Sequence, residues 1–338
     1  MKIALDAMGG DFAPAKPVLG AIEALKEISD LEIILVGKKE LIEEELKKNS
    51  YTSDRIEIKD TCDIIEMDED PVQGVRSKPK ASMNVMLDLV KSGEADASVS
   101  GGNTGALITA SQLKLRRIKG VLRPAIATVF PAKNKQIVFM DVGANADCKP
   151  EFINQFSLMG SVYAKELLDI ENPKVGLLNI GTEEGKGNEI TRESFELLKK
   201  HNYINFYGNI ESRDMMNGEV DVVVTDGFTG NMVLKASEGV AKFIFDFLKE
   251  EIGQSFRGKI GALLLKPIFK KMKKRMDSSE YGGAIFLGLN GISIKAHGNS
   301  DENGFKNAIK VANKFAKDNF IEQVKVAIDK CKEEKNEF

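Results

Sequence analysis

The residues able to do chemistry lie in short runs rich in glycine, asparagine and threonine. "SGGNTGA" carries Gly101, Gly102, Asn103, Thr104 and Gly105, and "DAMGGD" carries Gly9 and Gly10. "DVGAN" ends on Asn145, "GTEEGKGN" holds Lys186, and "TDGFTGN" holds Gly227, Thr229, Gly230 and Asn231. "KAHGNSD" holds His297, one of only two histidines in 338 residues. Glycine lets a neighbouring group approach the backbone closely. A helix that opens just after such a loop turns free N–H groups and the positive end of its dipole toward that group. The expected chemistry is therefore anion capture.

What is missing narrows that chemistry. No G-x-x-x-x-G-K-[ST] is present, and no clean G-x-G-x-x-G follows the first strand, which disfavours nucleotide sites. There is no G-x-S-x-G elbow. His201 in "KKHNYINF" reads as a surface residue, while His297 is open between a functional and a structural part. Cys62, Cys148 and Cys331 share no metal or redox spacing, and Cys148 reads as packing. Without an activated side-chain nucleophile, an enzyme can use a substrate that is itself nucleophilic, such as phosphate. Attack on a thioester expels a thiol of pKa about 8.5, which leaves without a strong acid. Position, charge compensation and an oxyanion donor then suffice. Lys186, Asn231, Asn103, Thr104 and backbone amides can supply them. Each also has a plainer reading: tight turns for the glycines, a solvated loop for Lys186, a helix N-cap for Asn231. Asp6, Asp11, Asp141 and Asp226 sit at strand ends, where a carboxylate would repel phosphate. They read as organisers of loops.

The elements that must position these loops are legible. Apolar, β-branched runs at 2–7, 32–37, 55–60, 95–100, 125–132, 136–143, 174–181, 204–208 and 220–227 read as strands. Helical patterns fall near 16–29, 38–48, 82–92, 103–117, 150–168, 188–200 and 229–251. Continuous rather than alternating strands mean that both sheet faces are covered. The expected fold is α/β, a doubly wound, mostly parallel Rossmann-like sheet (α/β/α). "AKNK" is too short for a crossover, so 125–132 and 136–143 should form an antiparallel hairpin. In a parallel sheet the glycine loops lie at one edge and should converge on one cleft. Residues 1–332 read as a single large domain carrying an amphipathic basic insertion at 255–280, with 333–338 a frayed tail.

Net charge is -3, with no global drive toward nucleic acid. Asp6 and Asp11 interrupt "MKIALDAMGGD", which does not read as a signal peptide, and no apolar run reaches the length of a membrane span. One segment suits a membrane surface instead. Residues 255–277 hold eight basic residues and no acidic residue before Asp277. Leu265, Ile268, Phe269, Met272 and Met276 form one helical face, with Lys270 and Lys273 on the basic side and Leu264 beside the stripe. Packing against a partner, or an acidic protein, could use the same faces. Pro267 sits where a helix could begin.

Taken in order, "DAMGGD", "SGGNTGA", "DVGAN", "LNIGTEEGKGN", "TDGFTGN" and "KAHGNSD" closely resemble the bacterial phosphate acyltransferases of phospholipid synthesis (acyl-acyl carrier protein:phosphate transacylases), from Met1 to about residue 330. The resemblance implies transfer of an acyl group from acyl carrier protein to inorganic phosphate, giving acyl phosphate for phosphatidic acid synthesis. It implies an isocitrate/isopropylmalate dehydrogenase-like fold, a homodimer, no metal and no cofactor. It also implies a cytoplasmic protein held peripherally at the inner face of the cell membrane through the 255–277 region. The family's catalytic lysine falls on Lys186 and its catalytic asparagine on Asn231. The usual second serine after "HG" is Asn299 here, with Ser300 retained. Two other readings remain: a nicotinamide-dependent dehydrogenase using metal-binding aspartates and Arg116, Arg117 and Arg123, and a membrane-surface scaffold without turnover.

Overall fold

The computed structural model describes residues 1–276 and 278–336, without the side chains of Lys273, Ser278 and 332–336. Eleven strands form one hydrogen-bonded sheet: β1 (Lys2–Asp6), β2 (Glu32–Gly37), β3 (Ile56–Asp60), β4 (Ala97–Ser100), β5 (Ala125–Pro131), β6 (Gln136–Met140), β7 (Lys174–Asn179), β8 (Asn205–Glu211), β9 (Val222–Val224), β10 (Ala284–Leu287) and β11 (Ile292–Lys295). Their order is β3-β2-β1-β4-β11-β10-β5-β6-β9-β7-β8.

Alternation within each strand builds the layers. Ile3, Leu5, Ile33, Leu35, Val138 and Met140 point to one face. Their neighbours Ala4, Ile34, Val36, Ile137 and Phe139 point to the other. The first face is covered by α1 (Ala15–Glu27), α2 (Lys39–Lys48), α6 (Pro150–Leu168), α7 (Glu189–Lys199), α10 (Glu302–Lys317) and α11 (Phe320–Asn336). Tyr163, Phe315 and Phe320 lock α6, α10 and α11 together, with ring centroids 4.6–6.4 Å apart. The second face carries α3 (Pro71–Ser77), α4 (Ser82–Ser92) and α5 (Thr104–Lys114) over one end, and the first turns of α8 (Gly227–Gly253) toward the other. The fold is the expected α/β/α sandwich.

Its direction differs from the expectation. β3, β2, β1, β4 and β11 are mutually parallel, and so are β6, β9, β7 and β8. Between these blocks, β10 is antiparallel to β11 and β5, and β5 is antiparallel to β6. Three reversals leave the two parallel blocks running in opposite directions. Their carboxyl ends therefore lie at opposite edges of the sheet, not at one. The β5–β6 hairpin is as expected, closed by Ala132 N–H to the Lys135 carbonyl at 3.0 Å. The β10–β11 hairpin is not among the strands the sequence pattern predicts. Its strands are only four residues each, and the flanking glycines hide them, yet they hold the centre of the sheet.

At the other end of the chain, α11 continues through Asn336 where a frayed tail was expected, and 337–338 lie outside the described residues. After α8 the chain runs into α9 (Phe256–Met276). Pro267 lies inside this helix rather than at its start. A proline there removes one intrahelical N–H donor, and the turns on either side carry the helix through.

Candidate functional site

A cleft of ≈ 580 Å³ opens on the second face where no helix covers the antiparallel strands. Ile126 and Thr128 of β5 and Ala284 of β10 form its floor. One wall comes from the carboxyl ends of β1, β4 and β11: Asp11, Thr104, Gly105, Lys295, His297 and Asn299. The facing wall comes from the carboxyl end of β6 and from α8: Gly143, Asn231, Leu234, Lys235 and Glu238. The opposed blocks thus meet across the sheet face, because the reversing strands between them are the floor.

Two sets of glycines satisfy the close approach they imply with the protein's own backbone. A side chain on Gly9 would stand 2.7 Å from the Gly102 nitrogen, and one on Gly230 would stand 1.9 Å from the Asp141 carbonyl oxygen. The loops after β1 and β4 are nested into each other, and so are the loops after β6 and β9. Buried carboxylates tie them. Asp6 accepts from Met8 N–H (3.1 Å) and Ser100 Oγ (2.7 Å), and Ser100 Oγ accepts from Gly102 N–H (3.0 Å). Asp141 accepts from the N–H groups of Ile126, Gly143, Ala144 and Asn145. Burial pushes both carboxyls above the usual carboxylate range, and these bonds oppose the shift. The aspartates organise loops, as expected of their positions.

This wiring gives several expected ligands a part inside the fold. Asn103 caps α5 by accepting from Ala106 N–H (3.0 Å), and its amide holds the carbonyls of Met67 (3.0 Å) and Glu69 (3.2 Å). Asn145 donates to Pro124 O (2.7 Å) and Asp141 Oδ2 (2.8 Å). The N–H groups of Gly9, Gly102, Gly227 and Gly230 go to Asp6 O, Ser100 Oγ, Asn145 O and Asp226 O. Thr229 gives both its N–H and its hydroxyl to Asp226, the N-cap of α8. All of these are spent inside the fold, because a nested loop must satisfy its own buried polar groups. Asn231 is not a cap. It stands on α8 past its first turn, exposed to the cleft.

Of the expected set, the cleft gathers Thr104, Gly105, Asn231 and His297. Gly101 lies beside it, its carbonyl accepting from Lys295 at 3.0 Å, and Gly10 packs against the Gly298 carbonyl. Lys186 is not in the lining. It is exposed on the loop after β7, its carbonyl held by Asn179 Nδ2 at 3.0 Å. His297 is exposed at the rim, yet the protein around its ring lowers its pKa from the usual histidine value. Burial pushes the Cys148 thiol up to about 12, which leaves no thiolate nucleophile. Arg117 is tied to the carbonyls of Val121 and Leu122, and Arg123 stacks over Phe152. No arginine cluster of the dehydrogenase kind lines the cleft.

Sequence reasoning passed over Lys295. It ends β11 in "GISIKAHG", is 7% exposed, and lines the cleft. Burial lowers its pKa to about 8, against the pull of Asp6 and Asp11. The signal was present: a lysine inside an otherwise apolar strand is buried unless the strand is an edge.

On α9, Leu264 is 75% and Ile268 61% exposed, and Leu265 and Lys270 are also exposed. Phe269 and Met272 are half-buried, and the Lys273 side chain lies outside the described residues. No helix of the described residues is long and apolar enough to cross a membrane.

The model of the family described as "Fatty acid synthesis protein" matches residues 1–323. A phosphate acyltransferase from Fusobacterium nucleatum is 60% identical over 330 residues, 97% of this chain and 99% of that one. A phosphate acyltransferase from Clostridium tetani is 50% identical, covering 96% of this chain and 97% of its own. Among solved structures, a phosphotransacetylase from Streptococcus pyogenes superposes with a TM-score of 0.61 at 18% identity, covering 94% of each chain. The EutD phosphotransacetylase from Staphylococcus aureus gives 0.58 at 15%, again over 94% of each. These likenesses to solved structures bear on the fold alone. The match to the family model and the identity to relatives over nearly their full length settle the kinship: the chain belongs to the fatty acid synthesis protein family, together with the phosphate acyltransferases it resembles.

Proposed function

We propose that this protein transfers a fatty acyl group from acyl-acyl carrier protein to inorganic phosphate, releasing acyl phosphate for phosphatidic acid synthesis. The observation that carries the reading is the cleft itself. It sets the free end of α5 opposite the side-chain amide of Asn231, with no activated nucleophile between them. Phosphate sits at the α5 end, where the N–H groups of Thr104 and Gly105 occupy the first helical positions and have no intrahelical acceptor. Asn231 donates to the thioester oxygen as it takes up charge. Lys186, exposed on its loop, swings toward the same oxygen or toward the phosphate. A phosphate oxygen attacks the carbonyl carbon, the C–S bond breaks, and the proton of hydrogen phosphate passes to the departing thiolate. His297, held toward its neutral form, adds polarity without charge.

The carrier protein is acidic in this reading and meets the basic face of α9. The exposed Leu264, Leu265 and Ile268 lie in the lipid headgroup layer beside the basic residues, with Phe269, Met272 and Lys270 next to them. A second copy covers the exposed stripe Val240, Phe243, Ile244 and Phe247 of α8, which repeats at helical spacing. The protein thus works as a homodimer at the inner face of the membrane.

The test uses purified protein, acyl-acyl carrier protein thioester and hydroxylamine. Hydroxylamine also cleaves the thioester directly, so the signal is the enzyme-dependent acyl hydroxamate above that background, which should form only when phosphate is present. Enzyme-dependent hydroxamate indifferent to phosphate would end the proposal.

A further inference from the structure

The cleft contains three basic side chains, and they differ in how their charge is met. Lys235 is paired with Glu238 at 2.9 Å. His297 is held toward its neutral form. Lys295 has no carboxylate within ion-pair distance among the described residues. Its Nζ donates to two backbone carbonyls, Gly101 at 3.0 Å and Ala296 beside it. An ammonium has three N–H bonds, so one remains unassigned, on a side chain that lines the cleft. Asp6 acts on it from a distance, occupied with Ser100 and Met8, and exposed Asp11 does the same from the rim. A buried ammonium with no carboxylate in contact is costly. The fold keeps one here, on the wall that also carries the N–H groups of Thr104 and Gly105.

We infer that Lys295 is the cation that receives the acceptor phosphate, bonding one phosphate oxygen through its third N–H while the amides at the start of α5 hold another. The inference rests on the proposed function and adds to it. The anion's charge partner is a buried lysine on β11, and Lys186 is left to the acyl side. Pinning its ammonium with two carbonyls fixes the direction of the third hydrogen, so the phosphate is aimed across the floor toward Asn231. Asp11 on the same wall carries the opposing charge, and Asp6, Lys235, Glu238 and His297 complete the ionisable surroundings.

Phosphate KM and kcat should be measured separately for wild type, Lys295→Met and Lys295→Arg. Lys295→Met should raise the phosphate KM about 10- to 100-fold, the range expected for one lost charge-assisted bond, with the acyl-donor KM unchanged. Lys295→Arg should recover part of the loss. In wild type the phosphate KM should climb above pH 8 as the ammonium loses its proton, a climb absent from Lys295→Met. An unchanged phosphate KM in folded Lys295→Met overturns the inference. A second measurement needs no variant: acetic anhydride labelling of wild type, read by mass spectrometry. Graded phosphate should protect Lys295 and spare Lys186, and equal labelling of Lys295 with and without phosphate also overturns it. If wild type protects Lys295 but makes no acyl phosphate, the proposed function fails and the anion site stands.

Discussion

Lys295 and Lys186 are the two lysines given parts in the proposed reaction, and their surroundings are opposite. Lys295 is buried at a strand end, its ammonium pinned by two carbonyls. Lys186 is exposed on a glycine-flanked loop, with only its backbone held. A buried charge acts in a medium of low dielectric, so each contact is stronger, but its desolvation costs stability. An exposed charge costs nothing while idle and must be brought into place. In the proposed reaction the difference suits a small rigid ion at Lys295 and a large, flexible acyl donor met by Lys186.

The largest effect expected is at the two proposed acyl-side donors. Lys186→Ala and Asn231→Ala should each lower kcat about 100- to 1000-fold, the cost of one oxyanion donor, with folding unchanged by circular dichroism. Normal turnover in either would remove that residue from the acyl side. Next comes membrane contact. Leu264→Glu and Ile268→Glu should lower cosedimentation with anionic vesicles at least tenfold, because each replaces roughly 1.5–3 kcal/mol of apolar burial, while turnover on soluble substrate stays intact.

Burial makes the contribution of Lys295 to stability pH-dependent. Unfolded Lys295 keeps its proton to about 10.5 and folded Lys295 only to about 8. Between those values the unfolded chain binds more protons, so stability rises with pH. The penalty is full below pH 8 and gone above about 10.5. Lys295→Met should therefore stabilise the protein below pH 8, by at most about 3 kcal/mol, less what two orphaned carbonyls cost, with the gain fading as pH rises. Urea melts at pH 7 and pH 10 decide it, and a gain that grows with pH would contradict the buried charge.

The last contrast lies within α8. Gly230→Ala would drive a methyl to 1.9 Å from the Asp141 carbonyl and should cost at least about 2 kcal/mol. Gly239→Ala meets nothing within 4 Å and should gain about 0.5–1 kcal/mol. Thermal melts of the two variants should move in opposite directions.

Much of the frame is readable along the chain. Runs such as "EIILVG" and "VDVVV" declare strands covered on both faces, and "AKNK" declares a hairpin. Thr104, Gly105, Asn231 and His297 were named from their motifs and meet in the cleft. The β10–β11 hairpin was not legible, because four-residue strands between glycines carry too little pattern to outweigh the turn signal. The internal bonds of Asn103 and Asn145 were hidden for a related reason: residue type states what a side chain can bond, not what the fold makes it bond.

By itself the sequence determined local preference: which segments extend, which coil, and where the backbone must be glycine. Those follow from steric and burial rules acting over a few residues. The tertiary structure alone decided that the two parallel blocks oppose each other, that the glycine loops nest into one another, and that Lys295 is stripped of water at the cleft wall. Each depends on groups such as Gly101 and Lys295, 194 residues apart. Desolvation and hydrogen-bond commitment exist only once distant segments have been packed together.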